Sequence, residues 1–168
     1  MHPYEAFSFL DKVNIAFGPA EFGRVSQILL GFSFIECEYK VPTMQLSGRP
    51  DIIARNENNY FVLEVKTSNS PVIRLKKEDL QGINGPKGSR SIIAALNFPE
   101  VEIRWILADA TKLRAGEYSR SALRVFSLGD VESEINHHFF NVLEKYHDSI
   151  MQGTDVLLEL FREVQKRS

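Results

Sequence analysis

The chain has 168 residues, 43% apolar and 25% charged, with a formal net charge of −2. That balance excludes a disordered or fibrous protein, and the length suits one domain burying roughly 70% of its unfolded surface. With no run of about 18 apolar residues, no basic-then-apolar start and a single cysteine, Cys37, it reads as an intracellular, cytoplasmic protein with no membrane span, disulfide or thiolate metal site.

Tyr4, Phe7, Leu10 and Val13 recur at helical spacing behind Pro3, which predicts a helix over residues 3–14. A second helix is expected over 19–30, where Phe22, Val25, Ile28 and Leu29 form one stripe and Gly31 offers a stop. Glu21 borders that stripe, and its default role is to complement the helix dipole. Residues 32–41, aromatic and β-branched between Gly31 and Pro42, read as a strand that includes Cys37. Two further strands, 51–55 and 60–67, flank the turn-forming cluster Asn56, Glu57, Asn58 and Asn59 and make a β-hairpin. A glycine-rich basic loop follows to about residue 87, with a helical turn at 76–81. A helix is expected over 86–97, ending before Pro99, then a buried strand over 102–108 and a shorter one over 122–128. Val131, Ile135, Phe139, Val142, Leu143, Tyr146 and Ile150 trace one helical face, Gly153 interrupts it, and Thr154 can cap a last helix. The expected organisation is a single domain over 1–168, with a core at about 19–108 and a C-terminal helical hairpin at about 130–167.

The hairpin carries the chemistry. Its turn is centred between Glu57 and Asn58, so a symmetric register sets Asp51 opposite Glu64, with Cβ atoms about 5 Å apart. Alternation puts Lys66 on the face of Glu64, while Phe61, Leu63 and Val65 point to the other side. Two carboxylates so close are unfavourable without a cation, and hard oxygen ligands beside water suit Mg2+ or Mn2+. Such an ion activates water and offsets charge on a phosphate under attack, and a lysine beside it orients or deprotonates that water or stabilises the same charge. The competing reading is a surface strand with an ordinary Glu and Lys pair.

Pro50 and Asp51, then Glu64, Val65 and Lys66 at the end of a hairpin, resemble the signature of the PD-(D/E)xK nuclease superfamily, whose fold is restriction-endonuclease-like. The order helix, three strands, helix, strand from Pro19 to Ala108 is similar to that α/β core. The wider stretch SGRPDIIARNENNYFVLEVKTSN, followed by LKKEDLQ, most resembles the archaeal Holliday junction resolvases. The resemblance implies that Asp51 and Glu64 bind Mg2+ with the Val65 carbonyl, that Glu21 reaches the ion through water, that Lys66 serves catalysis, and that Ser47 matches a serine before the aspartate. It also implies DNA as substrate and a homodimer. The chain departs from the pattern in the segment broken by Gly82, Gly85 and Pro86 and in its acidic helical tail. Restriction and repair nucleases, and a non-catalytic nucleic-acid-binding module on the same fold, stay open beside the resolvase.

Charge distribution agrees with a polyanion on one part of the surface. Residues 40–90 carry nine bases against five acids, whereas residues 130–168 carry eight acids against four bases. Ser47, Arg49, Arg74, Lys76, Lys77, Gln81, Lys87 and Arg90 are the candidate nucleic-acid contacts. The sequence GINGPKGS lacks the glycine-lysine-serine/threonine order of a nucleotide-triphosphate loop, so no triphosphate is expected. His137 and His138 lack a histidine three or four residues away and read as structural or solvated.

Overall fold

The computed structural model of the chain describes residues 1–97 and 103–168. Helix α1 (Pro3–Phe17) starts at Pro3 with a reciprocal cap: the His2 ring accepts from the Tyr4 amide at 3.4 Å and Glu5 accepts from the His2 amide at 2.8 Å. Gly18, at φ +81°, turns the chain into α2 (Pro19–Glu36).

α2 runs six residues past the expected end at Leu30. Its buried positions include every residue from Val25 to Phe34, so it is a helix enclosed on all sides. The aromatic run that reads as a strand over 32–41 is therefore the second half of this helix, apolar because it is surrounded. Only residues 40–44 of that stretch and its continuation form a strand. Gly31 is a contact point instead of a stop: a Cβ there would lie 2.8 Å from the Phe161 ring and would overlap the Met44 methyl. Cys37 caps α2 instead of lying in a strand, and its thiol is pushed up to about 12 by burial and by the nearby Glu134 and Glu36 charges, which makes it unreactive.

The main sheet contains β1 (Lys40–Met44), β2 (Ile52–Arg55), β3 (Tyr60–Ser68), β5 (Arg90–Asn97) and β6 (Ile106–Asp109), side by side in that order. Between β3 and β5 the chain forms β4 (Val72–Leu75), which pairs with β7 (Gly116–Ser119), and the short helix α3 (Lys77–Gln81). All neighbours in the main sheet are antiparallel except β3 and β5, which run parallel. The helix expected over 86–97 is thus a strand. Ile92, Ala94 and Leu96 face one core and Ile93 and Ala95 the other, so β5 is apolar on both faces and shows no alternation to set it apart from a buried helix. Pro99 and Glu102 lie outside the described residues. The strand expected over 102–108 is β6, beginning only at Ile106. Residues 122–128, expected as a strand, hold the end of helix α4 (Arg120–Arg124) and a turn, with one bridge from Ser127 to Ala108. Ser119 caps α4 by accepting from the Ala122 amide at 3.2 Å, which favours the helix locally.

The tail folds as helices, as expected: α5 (Gly129–Lys145), α6 (His147–Ile150) and α7 (Thr154–Arg167). Gly153, at φ +100°, takes the cap position, and Thr154 is the first, buried residue of α7 instead of its cap. α1, α5 and α7 cover α2 on one side of the sheet, while β4, β7, α3 and α4 cover the other. α5 also closes the sheet edge. Asn136 accepts from the Trp105 amide and donates to its carbonyl, at 2.8 and 2.9 Å, and Glu132 accepts from the Leu107 amide at 2.9 Å. Among the described residues no helix is long and apolar enough to cross a membrane.

Because Phe161 on α7 is fully buried against Phe32 of α2, the tail belongs to the core. Phe161→Ala should cost about 3–5 kcal/mol in urea unfolding, whereas Glu159→Ala, on the exposed face of α7, should stay within about 0.5 kcal/mol.

Candidate functional site

Asn56 sets the hairpin by accepting from the amides of Asn58 and Asn59 at 3.0 and 2.8 Å. The register is the symmetric one, Ile52 opposite Leu63 and Arg55 opposite Tyr60. The Asp51 amide adds a last bond to the Leu63 carbonyl at 3.1 Å, after which the chain turns off toward Gln45 and β3 continues alone on that edge. The Asp51 carboxylate takes up the next amide there, accepting from Val65 at 2.7 Å. In an extended strand a residue's amide and carbonyl leave from the same edge, so the Val65 carbonyl projects beside Asp51 beyond the end of β2.

Glu64 and Lys66 stand on the face of β3 opposite Phe61 and Leu63. Glu64 is 4% exposed, with Oε1 3.1 Å from the Lys66 ammonium and 3.8 Å from the Arg49 guanidinium; Oε2 is buried with no hydrogen-bond partner. Lys66 also lies 2.9 Å from Asp79, a carboxylate absent from the sequence-based candidates. Asp79 is 1% exposed, accepts from Arg49 at 2.7 Å and takes the Lys76 amide at 2.8 Å at the start of α3. One signal could have found it: Asp79 sits four residues from the buried Leu75 and from the buried Ile83, an acid inside an apolar spacing.

The three carboxylates are tuned apart. Burial, then the charge of Asp51, raises Glu64 to about 7 against the pull of Lys66. Burial also raises Asp51, opposed by the Val65 amide and the charges of Lys66 and Arg49. Burial acts upward on Asp79 as well, but the hydrogen bonds from Lys66 and the Lys76 amide and the charges of Lys66 and Arg49 outweigh it, and the net shift is down.

The sequence-based candidates therefore divide. Asp51, Glu64, Val65, Lys66 and Arg49 converge, and Lys76, Lys77 and Gln81 lie on the adjoining start, body and end of α3. Ser47 is exposed on the loop before Asp51. Arg74 on β4 pairs with Glu117 and lines, with Lys66, Thr67, Ser68 and Ser70, a groove of about 340 Å3. Arg90 starts β5 opposite Phe61, about 16 Å from Lys66 along β3; its guanidinium lies 6.0 Å from the Phe61 ring, on the face away from Glu64 and Lys66, so it does not join the site, and Lys87 precedes it. Glu21 is engaged elsewhere: it accepts from the Thr154 amide at 3.4 Å and pairs with Arg24 at 3.6 Å. The α2 side chain that reaches the site segment is Gln27, which donates to the carbonyls of Gln45 and Asp51 at 2.7 and 3.3 Å.

The donor set fits a divalent cation. Glu64 Oε2 lacks a partner, Asp51 and Glu64 are both raised by crowding and burial, and the Val65 carbonyl stands beside them. Among the described residues no three or more His, Cys, Asp and Glu side chains form a metal cage. An ion here would take two carboxylates and a carbonyl and fill its remaining positions with water or substrate oxygen, which is the habit of Mg2+ and Mn2+.

No family model matches the chain, and no curated protein matches it. Among solved structures the chain is similar to Hjc, a Holliday junction resolvase from the archaeal hyperthermophile Archaeoglobus fulgidus. The TM-score is 0.50 at 15% identity, with 62% of this chain and 89% of that one covered. At this identity the likeness is one of fold.

A carboxyl raised by the fold holds its proton where the unfolded chain has lost it, so Glu64 makes stability fall as pH rises from about 4.5 to about 7. In chelator, Glu64→Gln should remove that fall. The difference in thermal midpoint between variant and parent should therefore widen through this window and level off above it.

Proposed function

We propose that the chain is a metal-dependent endodeoxyribonuclease of the PD-(D/E)xK kind, acting on branched DNA in the manner of a Holliday junction resolvase. The observation that carries this reading is the convergence of Asp51, at the edge of β3, with Glu64 and Lys66 on its face, with a buried Glu64 oxygen left without a partner. The fold shared with Hjc supports it.

Asp51, Glu64 and the Val65 carbonyl would hold Mg2+ or Mn2+. Such an ion, when bound, supplies a Lewis acid for the phosphate and lowers the pKa of water. Lys66, set between two carboxylates at 3.1 and 2.9 Å, would supply an ammonium to the charge that develops on the phosphate. The Val65 amide fixes the rotation of the Asp51 carboxylate, so one oxygen is committed to β3 and the other would be left for the ion. Lys76 and Lys77, with Ser47, Gln81 and Lys87 nearby, would hold flanking phosphates. The acidic α5 and α7 lie behind the sheet, away from that face. Paired cutting of a junction would use two such sites, supplied by a second copy across a two-fold axis.

Cleavage of labelled four-way junction, duplex, single-stranded DNA and RNA tests the reading. Mg2+ or Mn2+ should support cutting of the junction, with paired nicks near its centre, and Ca2+ should allow binding with little turnover. Asp51→Asn, Glu64→Gln and Lys66→Ala should each lower the rate by roughly 10²–10⁴-fold while DNA binding persists. Fixed-sequence duplex cutting would select a restriction nuclease, and tight binding without any cutting would select the binding module.

Affinity should also fall steeply with salt. The double variant Lys76→Ala, Lys77→Ala should flatten the log–log slope by about 2, since each lost phosphate contact removes about 0.9; an unchanged slope would place the DNA elsewhere.

A further inference from the structure

We propose that Asp79 is a positioning residue: it shares the Lys66 ammonium with Glu64 Oε1 and draws the Arg49 guanidinium to itself, and so keeps Glu64 Oε2 open to a cation. The proposal rests on the nuclease reading above for its consequence in catalysis, but its geometry stands on its own contacts.

A carboxylate 1% exposed is costly to bury unless its oxygens are satisfied, and those of Asp79 are. Oδ1 receives both Arg49 Nη2 at 2.7 Å and Lys66 Nζ at 2.9 Å, and Oδ2 receives the Lys76 amide at 2.8 Å. The amide fixes the rotation of the carboxylate, and the carboxylate fixes two cations. Lys66 has two anionic neighbours, Asp79 and Glu64, at nearly equal distances. Arg49 likewise lies nearer Asp79, 2.7 Å against 3.8 Å to Glu64. With Asp79 neutral, the anions left to attract both cations are Glu64, already in contact with Lys66, and Asp51, and the partnerless Glu64 Oε2 would then be filled by a protein cation instead of a metal ion. Asp79 touches no reacting atom in this arrangement; it acts through Lys66 and Arg49. A purely structural Asp79 would tie α3 to the loop bearing Arg49, and its loss would lower stability without moving Lys66 relative to Glu64.

The test follows the Lys66 ammonium by NMR in 15N-lysine-labelled protein, with Lys66→Met assigning the signal. Asp79→Asn should shift that signal, weaken Mn2+ binding measured by electron paramagnetic resonance by roughly 10–100-fold, and lower kcat by a similar factor with KM nearly unchanged. Asp79→Glu should restore part of each. An Asp79→Asn protein with the parental ammonium signal and Mn2+ affinity would overturn the proposal, whatever its stability. If the parent cuts no nucleic acid in either ion, the nuclease reading fails by itself, and the ammonium signal still decides the role of Asp79. Should Asp79→Asn not fold, Lys76→Pro deletes the orienting amide while Lys76→Ala retains it. Only the proline variant should shift the Lys66 signal, and identical signals in the two would overturn the proposal.

Discussion

β3 is longer than its partner, and the site follows from that mismatch. β2 pairs with β3 only as far as Leu63, with one further bond from the Asp51 amide, while β3 continues beside β5 to Ser68. A strand edge left bare in this way must find a partner or meet water. Asp51 supplies the partner through its side chain, so one carboxylate oxygen does the work of a missing strand and the other stays at the strand edge. The same step in the ladder places Glu64 and Lys66 beyond the cover of β2, on the face where α3 packs. The carboxylate pair is therefore a consequence of where β2 stops, and lengthening β2 would close it.

Rigidity behind that edge comes from the opposite face. α2 is enclosed by α1, α5, α7 and the sheet, and its apolar surface runs all the way round. The apolar side chains of the tail, Phe139, Val142, Leu157 and Phe161 among them, are used within the chain to cover this helix. Gln27 couples the two sides: nearly buried on α2, it donates to the Gln45 and Asp51 carbonyls and so pins the segment that turns away from β3.

The hairpin was legible because local chemistry and pattern agree on it: Asn56 makes the turn, and the alternation of Phe61, Leu63 and Val65 with Val62, Glu64 and Lys66 sets the faces. The helical tail was legible for the same reason. β5 was not, since an apolar run covered on both faces carries no period, and its alanines favour a helix in isolation. The second half of α2 failed in the reverse sense, its aromatic residues imitating a strand because they are surrounded. Asp79 was hidden because its meaning is tertiary. In sequence it is one acid in a charged run, Lys76 to Asp79, and only the fold turns it inward to Lys66 and Arg49.

Three carboxylates within one small volume could not all be ordinary. Asp79, given two cations and an amide, is lowered; Asp51 is raised by burial and by the charge of Asp79, and Glu64 by burial and by the charge of Asp51, to about 7. This division anchors the Lys66 ammonium between Asp79 and Glu64 Oε1 and leaves Glu64 Oε2 without a hydrogen-bond partner. A divalent cation at Glu64 would then compete with a proton near neutral pH, and that competition would ease as pH rises. In the proposed nuclease reading, a cation bound at Glu64 would offset the burial and the Asp51 charge that raise its carboxyl, so the same environment would favour it as a ligand.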